Sequence, residues 1–251
     1  MPVMLDEARA RSLASAGSAR GRDELTPADP HPGEAASTPF AIGSPSGESR
    51  RERRFLGEDV FLELGAAIAS GVLRDGDVIR DRELAVRMEI SRTPVREAIL
   101  RLQQLGLIEI SPSRRTRVAE LTNGAARDAR RWAGYCGGIA AREAVDRLTP
   151  ADAEAAISRV HALRAALDAP AAAATAALDL LTFLAARADC APLHAEVTEG
   201  QFALVRALRR MPLAIEERAA SRDACQALVD AVIASDGDAA EAAMRAIFGV
   251  R

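Results

Sequence analysis

Hydrophobic residues recur at helical spacing from residue 55 onward, and this spacing defines the first element of the fold. The apolar positions between Phe55 and Ile68 fall on one face of a helix of about four turns. Gly71 follows as the residue that ends the helix, because glycine accepts a left-handed backbone at little steric cost. The pattern predicts an amphipathic helix with one buried face.

Short elements come next. Asp75-Gly76-Asp77 indicates a turn that leads into a short strand ending at Ile79, and residues 82–88 predict a short helix. Its buried residues are expected to be Leu84 and Ala85.

A further amphipathic helix is predicted to begin at Ser91, which can act as an N-cap, and to end at Gly106. Two alternating segments, 107–110 and 116–119, are then separated by a polar stretch, which is typical of a hairpin. Three helices and a hairpin in about 65 residues are the order of a winged helix-turn-helix.

The rest of the chain is rich in alanine, leucine and arginine and gives no second strand signal. Residues 169–177 are almost all alanine and fit either a loop or the start of a helix. The fold class predicted is mainly α, an N-terminal winged helix-turn-helix followed by an all-helical C-terminal bundle of about six helices. These helices are expected near 123–147, 151–168, 175–189, 192–210, 215–235 and 238–248.

The first 50 residues carry prolines, small residues and seven acids without an apolar period, which predicts a disordered tail. The chain is therefore expected to divide into three parts. They are a tail at 1–50, a winged helix-turn-helix at 51–120 and a helical effector-binding and dimerisation domain at 121–251.

Composition excludes several functions. The 33 basic side chains are all arginine, so chemistry that needs lysine, such as a Schiff base or a Walker-type phosphate loop, is excluded. Three separated cysteines argue against a disulfide framework. No stretch is apolar enough to span a membrane and no export signal is seen, so we expect a cytoplasmic protein. We do not expect an enzyme, because the chain lacks lysine, a combined set of histidine, carboxylate and nucleophile, and a metal-binding quartet.

The formal charge is −3, so nucleic-acid binding must come from local placement of charge. Residues 51–120 hold 13 arginines against 12 acids and are the part of the chain that is not net acidic. The arginines cluster at residues 92 and 96 and at residues 114, 115 and 117. In a winged helix these two clusters would flank one surface, although the second could equally protect a hairpin edge.

The segment 91–98, Ser-Arg-Thr-Pro-Val-Arg-Glu-Ala, is the most informative motif. Arg92 and Arg96 are four residues apart and share one helix face, while the opposite face is apolar. A helix N-terminus already favours anions. The hydroxyls of Ser91 and Thr93 together with the two guanidiniums suit phosphates and guanine edges.

Residues 55–119 resemble the DNA-binding domain of GntR-family transcriptional regulators. The resemblance rests on the segments 68–73, 82–85, 91–98 and 105–108 and on Gly76 and Leu102. It implies DNA contacts from seven residues, Arg82, Ser91, Arg92, Thr93, Arg96, Arg114 and Arg115. One departure concerns the wing, because the family usually has glycine at the tip where this chain has Arg115.

The helical half is similar, by its position, to the FadR-type (FCD) effector domain, which dimerises and binds small carboxylates. The resemblance implies a pocket in which Arg130 or Arg131 pairs with a carboxylate. Many members hold a divalent metal with an Asp and three His. Asp179 approximately matches the Asp and is, with Arg130 and Arg131, a candidate effector-binding residue. The His positions fall on Leu184, Cys225 and Ile247, so no metal and no cofactor are expected.

These observations predict a homodimeric regulator, more often a repressor in such families, that binds a palindromic double-stranded DNA operator and a small carboxylate effector. Two alternatives stay open. One is a helical-domain enzyme with an accessory DNA head, which lacks the required residue sets. The other is a winged-helix interaction module with a degenerate helical domain that senses nothing.

Overall fold

The computed structural model describes residues 47–111, 115–211 and 213–250. Within these ranges the chain is mainly helical with one small sheet, which confirms the predicted fold class. The helices are α1 Gly47–Ala69, α2 Asp81–Arg87, α3 Arg92–Gln104, α4 Asn123–Val145, α5 Pro150–Ala166, α6 Pro170–Ala185, α7 Ala191–Arg210, α8 Ile215–Ala234 and α9 Gly237–Ile247. The strands are β1 Val78–Ile79, β2 Ile108–Ile110 and β3 Thr116–Val118.

Residues 1–46 of the predicted tail lie outside the described residues. The last four residues of the predicted tail, 47–50, belong to α1. The boundary expected at 120 falls two residues before Thr122, whose side chain accepts a hydrogen bond from the Ala125 backbone amide and caps α4. None of the helices that the structure describes is long and apolar enough to cross a membrane.

The N-terminal head packs α1, α2 and α3 against an antiparallel sheet of order β1-β3-β2. The predicted hairpin is present, with Ile108 opposite Val118. Strand β1 adds to it, with Val78 opposite Arg117, a pairing that the sequence pattern did not reveal. The head buries large side chains from all its layers, among them Phe61, Leu64, Ile68, Leu102 and Leu107.

Two glycines end the helices of the head as predicted. Gly71 and Gly106 have φ angles of 77° and 67°, a left-handed conformation that other residues rarely adopt. Their amides donate to Ile68 and Gln103 carbonyls near the ends of α1 and α3. Each turn therefore returns the chain toward the core of the head.

The C-terminal half is a bundle of α4 to α9. The alanine-rich stretch belongs to α6, which starts at Pro170. Small residues of α4 allow α9 and the chain end to approach closely, because a Cβ added at Gly134 would lie 2.6 Å from Val250 and one at Gly138 would lie 2.8 Å from Arg245. Gly134 and Gly138 thus serve packing within the bundle.

Helix α7 belongs to the bundle and also packs on the head. Phe202 lies among the buried residues of the head core, and its ring meets the Phe61 ring edge-on with centroids 5.5 Å apart. Gly65 of α1 leaves room for the Phe202 ring. On another face of α7, Trp132 of α4 packs over Gly200, where an added Cβ would lie 2.6 Å from the indole.

We expect Gly65→Ala to lower the free energy of unfolding by about 1–3 kcal/mol, because the new Cβ would lie 2.3 Å from Cδ2 of Phe202. Chemical denaturation measures the change. Gly57→Ala in the same helix is the control, since its nearest neighbour would be 3.8 Å away. That control should be neutral or stabilising by up to about 1 kcal/mol.

The double variant tests the contact directly. Phe202→Ala removes the ring that obstructs the new methyl group, so the cost of Gly65→Ala should fall in that background. An equal cost in both backgrounds would contradict the packing of Phe202 on Gly65.

Candidate nucleic-acid interface

The exposed face of α3 carries the two arginines that the motif predicted. Val95, Ile99 and Leu102 are buried in the head core, which turns Arg92 and Arg96 outward with side chains 51% and 62% exposed. The first two turns of α3 therefore present two guanidiniums near the helix N-terminus.

Asp81, the first residue of α2, holds both of these arginines. Arg92 Nη2 donates to the two Asp81 carboxylate oxygens at 3.0 and 2.8 Å, and Arg96 Nε donates to Oδ2 at 2.9 Å. Partial burial alone would raise the pKa of Asp81, but the hydrogen bonds from the two arginines outweigh it and the pKa lies below its usual value. The carboxylate stays charged near neutral pH and fixes the spacing of the guanidiniums.

The other predicted residues of the helix-turn-helix lie exposed around this cluster. Ser91 is the N-cap of α3 by its backbone conformation, but its side chain makes no capping hydrogen bond, so its hydroxyl is available. Thr93 and Arg82 are also exposed. Next to Arg82, Arg80 pairs with Glu83 at 3.1 Å.

The wing is described at its base. Arg115 is exposed, and its backbone closes the turn because the Ser111 amide donates to the Arg115 carbonyl at 3.0 Å. The predicted contact residue Arg114 lies outside the described residues.

Taken together, the first turn of α3 offers a set of donors suited to anionic groups. Guanidinium forks match phosphate oxygens and the acceptor pair of a guanine edge. Hydroxyls and the free amides at the start of a helix add further donors. An exposed helix with such a face, followed by a two-stranded wing, is the geometry with which winged helices dock on duplex DNA.

The helical bundle contains a small apolar cavity of about 40 Å³ that Arg130 lines together with Leu163, Ala177, Ile247 and others. The volume suffices for a few water molecules. Arg130 Nη2 donates to Glu217 Oε1 at 2.9 Å with a side chain only 14% exposed. This hydrogen bond and, to a smaller extent, one from the Ala214 amide lower the pKa of Glu217. Arg130 therefore already has a charged partner.

The other two residues expected to bind an effector lie elsewhere. Arg131 is exposed on α4 and away from the cavity, because consecutive helical residues point about 100° apart. Asp179 forms an ion pair with Arg159 at 3.2 Å and does not line the cavity either. The structure therefore places one of the three predicted effector residues at the cavity and separates the other two from it.

The positions at which the FadR-type resemblance implies metal-binding histidines are part of the core here. Leu184, Cys225 and Ile247 are all buried, and burial raises the pKa of the Cys225 thiol to about 11, so it is not a thiolate at neutral pH. Among the residues that the structure describes, no three His, Cys, Asp or Glu side chains lie together. Apolar side chains at these positions do not fit a divalent metal.

Three residues near the candidate interface were missed in the sequence. Asp81 orders the α3 arginines, Arg101 joins α3 to Glu58 of α1 and Glu199 of α7, and Arg206 enters the head from α7. Each acts through partners 11 or more positions away. Periodicity reports faces of single elements, so no local signal could identify these pairs.

Comparison with known proteins agrees with this geometry. The family model of bacterial regulatory proteins, gntR family, matches residues 56–118. An HTH-type transcriptional regulator in an unstable DNA locus of Streptomyces ambofaciens is 39% identical over 54 residues, 22% of this chain and 23% of that protein. The HTH-type transcriptional repressor RspR of Escherichia coli K12 is 32% identical over 65 residues, 26% of this chain and 28% of that protein. These matches span about a quarter of each relative.

Solved structures extend the likeness beyond the head at the level of the fold. Escherichia coli McbR/YncC superimposes with a TM-score of 0.60 at 22% identity, covering 77% of this chain and 93% of that one. A GntR protein from Rhodococcus sp. RHA1 gives a TM-score of 0.53 at 20% identity, covering 76% and 93%. The arrangement of head and helical bundle is therefore shared with these proteins. Residues 56–118 themselves form a helix-turn-helix domain of the gntR family of bacterial regulatory proteins.

Proposed function

We propose that the chain is a dimeric transcriptional regulator that acts in the cytoplasm by binding a palindromic DNA site, and that it acts as a repressor. The single observation that carries this proposal is the pair Arg92 and Arg96, exposed side by side at the start of α3. The helix-turn-helix relatives are regulators, and RspR is named a repressor. We do not propose an enzymatic activity.

In the proposed complex α3 enters the major groove, with its first turn nearest the bases. Arg92 and Arg96 leave Asp81 in part and contact phosphates or guanine edges, because DNA offers more acceptors than one carboxylate. Arg82, Ser91 and Thr93 contact the flanking backbone. The wing residues Arg114 and Arg115 lie over the adjacent groove or phosphates, where arginine at the wing tip adds positive charge.

Dimerisation is proposed through the helical domain. Tyr135 and Ile139 are one turn apart on α4, and their side chains are 41% and 48% exposed. An aromatic and a β-branched residue on one outer helix face suit an interface between two copies. Two heads held by one dimer would read the two halves of a palindrome.

A second candidate function is a winged-helix interaction module whose helical domain senses nothing. The bundle cavity favours this alternative, because the cavity offers little room for an effector. The cavity is small, and its arginine is paired with Glu217. An organic acid would have to open the bundle and displace that carboxylate from Arg130. The small carboxylate effector that the FadR-type resemblance implies therefore binds only if the bundle opens, or it binds at another site.

Arg92→Ala/Arg96→Ala is expected to abolish preference for the operator, because it removes the anion-binding face of α3. Binding to the upstream intergenic DNA of its own gene is measured at two salt concentrations with competitor DNA. The affinity of the wild type should fall steeply with salt. The variant should bind at least about tenfold more weakly, and the slope of the logarithm of its binding constant against the logarithm of salt concentration should be shallower by up to about two.

The control is Arg127→Ala/Arg164→Ala, which removes two exposed arginines from the helical domain. This control should retain wild-type affinity. If the α3 variant binds as tightly as the control, then α3 does not present the recognition face. If the wild type does not prefer its own upstream DNA, selection from random oligonucleotides supplies the operator for the same comparison.

Asp81→Asn should reduce discrimination between operator and random DNA by about tenfold, because the arginines lose the carboxylate that orients them. Affinity for random DNA should rise, since a negative charge next to phosphates is removed. Glu83→Gln is the matched control on the same helix and should change the ratio less than about twofold. Unchanged discrimination in Asp81→Asn would show that the Asp81 pairs do not prepare the site.

Ile139→Asp should convert a dimer into a monomer, as measured by light scattering after size-exclusion chromatography, because a carboxylate would be buried at the interface. Ile139→Val keeps the apolar surface and should stay dimeric. A dimeric Ile139→Asp protein would place the interface elsewhere, and a monomeric wild type would refute dimerisation.

A further inference from the structure

A second, larger cleft lies at the junction between the head and α7. Its volume is about 350 Å³, and it is bounded by the end of α1, the following turn and the last turns of α7. Four of the eleven residues that line it are arginines, Arg74, Arg206, Arg209 and Arg210, and one is an acid, Asp75. The cleft thus has an excess of positive charge in a chain whose formal charge is −3.

One wall of the cleft is a structured ion pair. The Arg206 side chain is 8% exposed and donates to Asp75 Oδ1 at 2.6 Å and to the Ala119 carbonyl. Asp75 also accepts from the Leu121 amide at 3.1 Å. Burial alone would raise the pKa of Asp75, but the hydrogen bonds from Arg206 and Leu121 and the nearby charge of Arg210 lower it overall. This acid is therefore already used by Arg206.

The remaining arginines still have unused donors. Arg209 Nη2 donates to the Ser70 carbonyl at 2.9 Å, which leaves most of its fork free. Among the residues that the structure describes, the guanidiniums of Arg74 and Arg210 form no hydrogen bond and no ion pair, although the Arg74 backbone amide donates to Asp77. The three guanidiniums repel one another, and the single carboxylate that lines the cleft, Asp75, already accepts a hydrogen bond from Arg206.

We propose that this junction cleft binds a small multivalent anion bearing carboxylate or phosphate groups, held by Arg74, Arg209 and Arg210. Guanidinium forks bind both groups through paired charge-assisted hydrogen bonds. The volume accommodates a metabolite of modest size. Arg74 belongs to the head, and Arg209 and Arg210 belong to α7, so a bound anion bridges the two parts of the chain and stabilises their observed arrangement.

Binding itself is independent of the proposed function. It takes place at the contacts that join α7 to the head, whereas the proposed DNA face is formed by α3. The consequence for regulation rests on the proposed function, because a ligand changes DNA affinity only if it binds one head arrangement more tightly than another.

The test is isothermal titration calorimetry of the full chain without DNA, with citrate and inorganic phosphate as separate probes at constant ionic strength. We expect one site per chain for at least one probe. Arg74→Gln/Arg210→Gln should weaken that binding at least tenfold. The two guanidiniums have no hydrogen-bond partner to lose within the described part of the chain, so the variant should keep the wild-type circular dichroism spectrum. Each single variant should show an intermediate loss.

Two controls distinguish binding in this cleft from unspecific attraction and from binding in the bundle cavity. Arg127→Gln removes an exposed arginine elsewhere and should change affinity less than twofold; an equal loss there would mean unspecific attraction and would overturn the proposal. Arg130→Gln alters the bundle cavity and should retain binding. Binding that is lost in Arg130→Gln but kept in the cleft variant would place the anion in the bundle and also overturn it.

Two further outcomes would count against the cleft. If neither citrate nor phosphate binds with a dissociation constant below about 10 mM, the site is refuted. Arg74→Gln/Arg210→Gln could also bind both probes as the wild type does and yet lose DNA affinity. That result would show that Arg74 and Arg210 contact the DNA backbone instead. Because the titration contains no DNA, failure of the Arg92→Ala/Arg96→Ala prediction would leave the result of this experiment unaffected.

Discussion

The packing of α7 against the head decides how the two halves of the chain are arranged. Phe202 fills the space that Gly65 leaves open on α1, and one turn later the buried Arg206 donates to Asp75 and to the Ala119 carbonyl. Close packing fixes the distance between the two halves, and the charged hydrogen bonds fix the orientation. The position of α3 relative to the bundle follows from these contacts.

The same helix links the regions to which we assign function. Glu199 near the middle of α7 pairs with Arg101 of α3, while Leu208 near its end lines the bundle cavity. Arg209 and Arg210 line the junction cleft. A ligand that moves α7 would therefore move the C-terminal end of α3, where Arg101 lies. The ligand only has to bind one position of α7 with higher affinity than another.

Core side chains occupy the positions at which the FadR-type resemblance implies metal-binding histidines. Leu184, Cys225 and Ile247 contribute to the hydrophobic core. Of the three, Ile247 also lines the bundle cavity of about 40 Å³. The arginines at the junction instead keep open donors, which is why we place anion binding there.

The sequence by itself determined the elements and the candidate recognition face. Gly71, Gly106 and the segment 91–98 identify where α1 ends and where α3 begins and ends, because those signals are local. The start of α1 was not predicted, since the helix begins at Gly47, eight residues before the first apolar position of the pattern. Only the tertiary structure decided which distant charges meet. The pairing of Asp81 with two α3 arginines and of Arg206 with Asp75 depends on how elements pack, and side chains far apart in sequence leave no periodic trace of their contact.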